Sequence, residues 1–355
     1  MTSDHDPHLL LGLLDPWREN THSIWIGSTL KISRNLDNYN FPSKLSTDEQ
    51  KEVVSLIQKN LMSYKGLEKP TFLPAEETTP LEKQFLYEHF LLLSGLGQAH
   101  SGEAFLVGKQ GSFLGSINLE DHLSLTLIDT SGDLESCFSE LSKIENHLTK
   151  SFSFAFNSRF GFLSADPALS GTGLEVSCYV QAPALIHTGE LSEFLVSHNE
   201  DDVYVSGLQG TLDEITGDLL VVRNNFTLGL TEEDILSSVR SYTTKLLVKE
   251  KGLRSQLKNT EARELKDLVS RAYAVLMHSY QIEPLEALSA ISLVKLGVDL
   301  GWLTNVTIRE LNALFFNCRR GHLLSHFESE IDQEELPHKR AEYIHKHLEK
   351  AELHV

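Results

Sequence analysis

The chain has 355 residues, of which 41% are hydrophobic and 23% charged, and a formal net charge of −19; this is long enough for two domains of ordinary size. The acidic balance argues against nucleic acid, whose binding relies on lysine and arginine neutralising phosphates, and against an anionic membrane surface; it suits a basic protein partner or simply solubility. No segment has the length and apolarity of a membrane span, and residues 1–7 lack the basic region of a signal peptide while residues 9–14 are too short for its apolar core. Cys137, Cys178 and Cys318 are far apart and odd in number, which reads as a reducing, cytoplasmic setting with no disulfide frame and no metal site.

Up to about residue 95 the pattern predicts helices with irregular connections. Residues 48–62 place Val53, Val54, Ile57 and Leu61 on one helical face, and residues 81–93 form a second helical run. Pro70, Pro74 and Pro80 predict an extended linker between them. A β-rich stretch follows, with strands at 104–109 and 112–118 around a Gln110-Gly111 turn. Leu123, Leu125 and Leu127 alternate with Ser124 and Thr126, as in a half-buried strand. Residues 133–149 read as an amphipathic helix through Leu134, Cys137, Leu141, Ile144 and Leu148. Further strands are predicted at 176–181, 203–206 and 219–222, and Thr231 as the N-cap of a helix opening with Glu232, Glu233 and Asp234. Beyond about residue 255 nothing resembles a strand; Pro284 starts one helix, and Thr307 with Glu310 forms a capping box for another. The basic, polar stretch 249–258 sets a boundary between a first domain, 1–255, and a helical second domain, 256–355. The apolar block Val294, Leu296, Val298 and Leu300 either packs the bundle core or serves an interface.

One segment stands apart in charge. Residues 160–222 contain no lysine or arginine and ten carboxylates. They also hold the loops Gly171-Thr172-Gly173 and Gly207-Leu208-Gln209-Gly210, of a kind that often approaches phosphates because glycine lets backbone N–H groups come close. A nucleotide triphosphate needs fixed positive charge against about four negative ones. The loops are present and the charge is absent.

Asn118-Leu119-Glu120-Asp121-His122-Leu123 resembles the Asn-Glu-Glu-Asp-His-Leu-Arg signature of the phosphagen (guanidino) kinases. Gly171-Thr172-Gly173-Leu174, the Gly207/Gly210 loop followed by residues 224–229, and Ser33-Arg34-Asn35-Leu36 with Phe41-Pro42 resemble other signatures of that family. Residues 294–301 are similar to the C-terminal domain of the bacterial protein-arginine kinases, and Arg340-Ala341 to the end of their phosphoarginine-binding motif. The resemblance spans roughly residues 24–349. It implies an α+β fold: a phosphagen-kinase-like antiparallel sheet domain with flanking helices, then a helical C-terminal domain. It implies ATP and Mg²⁺, with γ-phosphate transfer to a guanidinium nitrogen and Glu120 as the base. Lys31, His122, Gly171, Gly173, Gly207 and Gly210 fall on nucleotide-binding positions, and Arg340 on a phosphoarginine-binding one. A homo-oligomer, a small zinc-binding activator protein and arginine-containing protein substrates are implied as partners.

The chain departs from that pattern where it matters for phosphate. The family's phosphate-facing arginines fall on Thr29, Lys31, Ser124, Glu175 and Ser206, so one position keeps a cation and another reverses its sign. Lysine does not reproduce the bidentate arginine fork. On the guanidinium side, the reactive cysteine falls on Asp166, and the two other glutamates on Leu119 and Thr211. In the C-terminal motif the first arginine and aspartate fall on Leu336 and Pro337. These departures predict a weak or inactive pseudokinase with an interaction or regulatory role. The alternative is an active protein-arginine kinase using Glu120 as base and Lys31 on phosphate, and a third reading is a phosphoarginine-binding adaptor.

Overall fold

A computed structural model describes residues 10, 13, 15–68, 70–92, 100–327 and 331–354. The readings placed on residues 1–7, most of 9–14, and the end of the helical run at 93 fall outside them. In chain order the elements are β1 (Trp25–Arg34), α1 (Thr47–Ser63), β2 (Thr71–Pro74), α2 (Pro80–His89), β3 (Ala104–Val107), β4 (Phe113–Ile117), β5 (Leu123–Asp129) and α3 (Leu134–Leu148). Then come β6 (Phe156–Asn157), β7 (Gly161–Phe162), β8 (Leu174–Gln181), α4 (Pro183–His187), α5 (Leu191–Ser197), β9 (Val203–Ser206), β10 (Leu219–Asn224) and α6 (Glu232–Lys258). The chain closes with α7 (Arg263–His278), α8 (Pro284–Leu300), β11 (Leu303–Thr304), α9 (Ile308–Asn317), α10 (Arg320–Leu324), α11 (Leu336–Leu348) and β12 (Glu352–Leu353). The fold is α+β, as the resemblance implied.

The residues form two compact units. Unit 1 comprises Met1–Pro16, Ser28–Ser177 and Arg223–Arg240; unit 2 comprises Trp17–Gly27, Cys178–Val222 and Ser241–Val355. These contact units differ from the sequence segments 1–255 and 256–355, because the C-terminal helices cluster with two earlier stretches of chain.

In unit 1 the strands run in the order β2-β3-β4-β5-β1, followed by the first half of β8. Antiparallel registers link β2 to β3, β3 to β4, β4 to β5 and β5 to β1. The sequence reading expected a helical N-terminal part here, and β1 corrects it. Nearly every β1 side chain is buried, polar ones included: Ser28, Thr29, Ser33 and Arg34. Thr29-Leu30-Lys31-Ile32-Ser33 alternates polar and apolar side chains as a strand does, but Gly27-Ser28 before it and Arg34-Asn35 after it keep that run to five residues. Helix α1 starts at a capping box in which Ser46 and Glu49 satisfy each other's backbone N–H, and buries Val53, Ile57 and Leu61. Helix α3 is capped by Asp133, buries Leu134, Leu141, Ile144 and Leu148, and packs on β5. The Gln110-Gly111 turn is present, with Gly111 at φ 68° and Gly108 N–H donating to Phe113 O at 2.9 Å.

In unit 2, α7 and α8 form the most extensive helix pair, with α9 and α11 packed beside them. Val294, Leu296 and Leu300 are buried, so the apolar block packs the core of this bundle. Trp17 stacks on Phe316 at 4.5 Å and meets Tyr179 edge-on at 6.3 Å. Gly297 allows a close approach: a Cβ there would lie 2.3 Å from Leu303 Cδ1. The capping box of Thr307 and Glu310 is present. The expectation that no strand follows residue 255 is corrected by β11 and β12, which pair antiparallel; at two residues each they are too short to leave a periodic signal. No described helix is long and apolar enough to cross a membrane.

Candidate functional site

The β1–β5 register sets Thr29 opposite Ile128, Lys31 opposite Thr126 and Ser33 opposite Ser124. Alternate residues share a sheet face, so Thr29, Lys31 and Ser33 line one face, with Thr126 and Ser124 alongside on β5. Ser33 and Ser124 share a hydroxyl–hydroxyl hydrogen bond of 3.1 Å. Glu175, at the start of β8, reaches Lys31 Nζ at 2.9 Å. Burial works against the Lys31 ammonium, but the charge of Glu175 and its hydrogen bond, helped by Glu120 and Asp121, override this and hold the lysine pKa above its usual value. Lys31 is therefore a firmly charged but already neutralised cation.

The next segment, Asn118 to His122, is fixed by its own side chains. Asn118 adopts φ 59° and donates from Nδ2 to Gln50 O (3.0 Å) and Gly102 O (2.9 Å). Asp121 Oδ1 accepts from Asn35 Nδ2 (2.5 Å) and from the Ala165 backbone N–H (2.6 Å). His122 Nδ1 accepts from Leu36 N–H at 3.1 Å, and its backbone N–H donates to Asn35 Oδ1 at 3.0 Å. Burial pushes the fully enclosed His122 imidazole down, against the opposing effects of an Asn40 backbone hydrogen bond and Asp121. Asp121 and His122 thus anchor the loop, while Glu120, directly before them, is exposed.

Glu120 lines an open pocket of about 530 Å³, within the range of small-ligand sites. Its wall carries the carboxylates Glu103, Glu120, Asp121 and Asp166, with Gln50, His100 and Asn118, and no lysine or arginine. Asn118 Oδ1 is buried there without a partner, an acceptor directed by the two bonds of its amide nitrogen. Glu103 accepts from His100 N–H at 2.7 Å; burial raises its carboxyl pKa, partly opposed by that bond and by the charges of His100 and Lys83. Asp166 accepts from Ala168 N–H at 2.9 Å, which stabilises a short turn. Carboxylates and a spare amide oxygen make a wall suited to a cation rich in N–H donors. Sequence reasoning missed Glu103, which belongs to no signature; its only signal was a carboxylate directly before a predicted strand.

The glycines meet close neighbours. A Cβ on Gly171 would lie 2.3 Å from Thr227 O, and one on Gly173 2.8 Å from Arg34 Nη1 and 2.9 Å from Ser33 O. Gly171 N–H donates to Phe162 O at 3.1 Å. In unit 2, Gly207 N–H donates to Thr211 O (2.7 Å) and Gly210 N–H to Gly207 O (3.1 Å), so both amides are engaged inside their own loop. Arg340, also in unit 2, is 1% exposed and donates from Nε to Cys318 O and from Nη1 to Ile282 O, both at 2.8 Å.

The unit 1 residues fit a triphosphate poorly: its β1–β5–β8 face offers hydroxyls and one cation that is tied to a carboxylate. Among the described residues no group of three or more His, Cys, Asp or Glu side chains is arranged to hold a metal ion.

Comparison with known proteins places this architecture. Residues 52–253 match the C-terminal catalytic domain of the ATP:guanido phosphotransferases, and residues 262–354 the C-terminal domain of the protein-arginine kinase McsB. The chain is 34% identical over 345 residues to a protein-arginine kinase of Chlamydia pneumoniae, covering 95% of this chain and 96% of that one. It is 32% identical over 321 residues to one of Halothermothrix orenii, covering 90% and 92%. Among solved structures, the duplicated taurocyamine kinase of Schistosoma mansoni with bound transition-state-analogue components shares the fold, with TM-score 0.57, 24% identity and coverage of 70% of this chain and 37% of that one. Lombricine kinase does so with TM-score 0.57, 21% identity and 71% of each chain. The chain belongs to the ATP:guanido phosphotransferase family, in its protein-arginine kinase branch.

Proposed function

We propose that this chain is a protein-arginine kinase relative that binds arginine-containing protein segments at the Glu120 pocket and transfers phosphate from ATP weakly or not at all. The observation that carries this reading is the 2.9 Å pair between Lys31 and Glu175. Lys31 is the one cation among the five positions where the family places phosphate-facing arginines. A phosphate arriving there competes with a carboxylate already in place, and meets hydroxyls at Thr29 and Ser124. Losing one preorganised charge-stabilising donor lowers a rate about 10²–10³-fold. Such losses do not simply multiply, because the groups act as a unit, but several together leave little catalysis.

The cationic side of the site is differently equipped. Glu120 is exposed in a pocket whose other carboxylates and unpartnered Asn118 Oδ1 suit a guanidinium. Calorimetric titration of the full chain with Mg-ATP tests the nucleotide half of the proposal. Affinity weaker than millimolar is expected, and micromolar affinity overturns it. Titration with a glycine–serine peptide carrying one arginine tests the other half: Glu120→Gln should weaken its binding by about tenfold.

A further inference from the structure

Every exposed phenylalanine among the described residues lies on two neighbouring segments of unit 1: Phe156 and Phe160 on the β6–β7 hairpin, and Phe226 just after β10, followed by exposed Leu228. Backbone contacts stitch these segments together. Phe156 pairs with Phe162 across the hairpin, their rings 5.4 Å apart. Phe162 and Gly171 exchange two backbone hydrogen bonds, at 2.8 and 3.1 Å. Thr172 N–H donates to Thr227 O at 3.1 Å, and Thr227 Oγ1 donates to Ser170 O at 2.8 Å. The hairpin is pinned from beneath, where the buried Arg34 guanidinium stacks on Phe162 at 3.7 Å. The exposed rings are therefore carried by two loops that hydrogen bonds fix to the same glycine turn, and exposed apolar side chains gathered in this way mark binding sites.

Charge selects the occupant. The carboxylates of Glu232, Glu233 and Asp234 follow Phe226 and Leu228 in the chain, against Arg159 and Arg223 on the same two stretches. No lysine occurs between Lys150 and Lys245. In a two-fold contact a second copy would set these carboxylates against themselves, and residues 1–9 bring Asp4 and Asp6 with no lysine or arginine. The hairpin also shows how its rings are used: Arg34 covers Phe162, and Arg159 lies over Phe160 at 5.3 Å. Guanidinium groups bind phenyl faces through the ring quadrupole. We propose that this surface docks a basic segment of a partner protein, with cationic side chains laid over the exposed rings of Phe156 and Phe226.

None of the exposed phenylalanines lines the Glu120 pocket, so the two assignments are separable. The probe is a fluorescent peptide of alternating arginine and valine, followed by anisotropy with the full-length protein. Binding is expected to survive in Glu120→Gln and to weaken by at least about tenfold when Phe156→Ser and Phe226→Ser are added to that background. Absence of binding, complete loss in Glu120→Gln alone, or indifference to the two phenylalanine replacements overturns the proposal. So does light scattering that shows a dimer dispersed by Phe156→Ser and Phe226→Ser, which assigns the surface to a second copy. If instead Glu120→Gln binds a single-arginine peptide as the wild type does, the pocket assignment fails while the docking surface stands.

Discussion

Two parts of unit 1, which come within four residues of each other in sequence at Glu120 and Ser124, differ in what they can hold. The sheet face of Thr29, Lys31, Ser124 and Glu175 is closed on itself: its ammonium is paired at 2.9 Å and two of its hydroxyls bond one another. The Glu120 pocket is open, with carboxylates around about 530 Å³ and an amide oxygen without a partner. On one face the cation is paired with a carboxylate, and the other is acidic with no lysine or arginine in its wall. Charged groups bind in proportion to what they are not already paired with. This contrast is what supports the proposal of cation binding in the pocket and little anion binding on the face.

The largest expected effect comes from reopening the closed face. Glu175→Arg combined with Ser124→Arg should tighten Mg-ATP by about tenfold or more per arginine, since a hydrogen bond to a charged group is worth about 1.5–3 kcal/mol. The gain should fall at about 1 M salt, where the Debye length is about 3 Å. Unchanged anion affinity would mean that these positions do not share a ligand.

Arg340→Ala comes next. It strips the donor from the buried carbonyls of Cys318 and Ile282, at a cost of about 3 kcal/mol in urea denaturation. A change within about 0.5 kcal/mol would match a surface residue and contradict a structural role.

Glu120→Gln should weaken binding of a glycine–serine peptide carrying one arginine by about tenfold. Because Glu120 is exposed, the melting temperature should hardly move. A melting shift as large as that of Arg340→Ala would make Glu120 a structural residue instead.

The Lys31–Glu175 pair gives the smallest effect. Both side chains are about a quarter exposed, at 27% and 26%, so Glu175→Gln should cost only about 1 kcal/mol. The sign with pH follows from the raised lysine pKa. The pair's contribution is fully present below the unfolded value near 10.5 and is lost as pH rises through the higher folded value. Thermal melts from pH 9 upward should show the wild type losing its advantage over Glu175→Gln only above about pH 10.5. Equal pH profiles would show that the pair does not stabilise the fold.

Much of this was legible in the sequence. The capping box at Thr307, the helix bearing Leu134 and Leu141, and the β3–β4 turn follow from local pattern, because those residues serve their own element. β1 left a short alternating signal at residues 29–33 that the reading of a helical N-terminal part passed over, and the burial of its serines, threonine and arginine was not legible because it comes from elements packed on the second face. At the site, the Lys31 and Glu175 substitutions could be read by position, but their pairing could not, because it joins residues far apart in the chain. Glu103 enters the pocket only through the fold. Arg340 carried a motif-like signal, and the structure gives it two backbone carbonyls as partners.

The central claim is that this site keeps its means of holding a guanidinium and has lost its means of holding a triphosphate. Paired calorimetric titrations of the full chain, one with Mg-ATP and one with the single-arginine peptide, test it most directly. Measurable heat is expected with the peptide, at about tenfold weaker affinity in Glu120→Gln, and none with Mg-ATP below millimolar concentration. Micromolar Mg-ATP binding together with phosphoarginine formed on the peptide would contradict it.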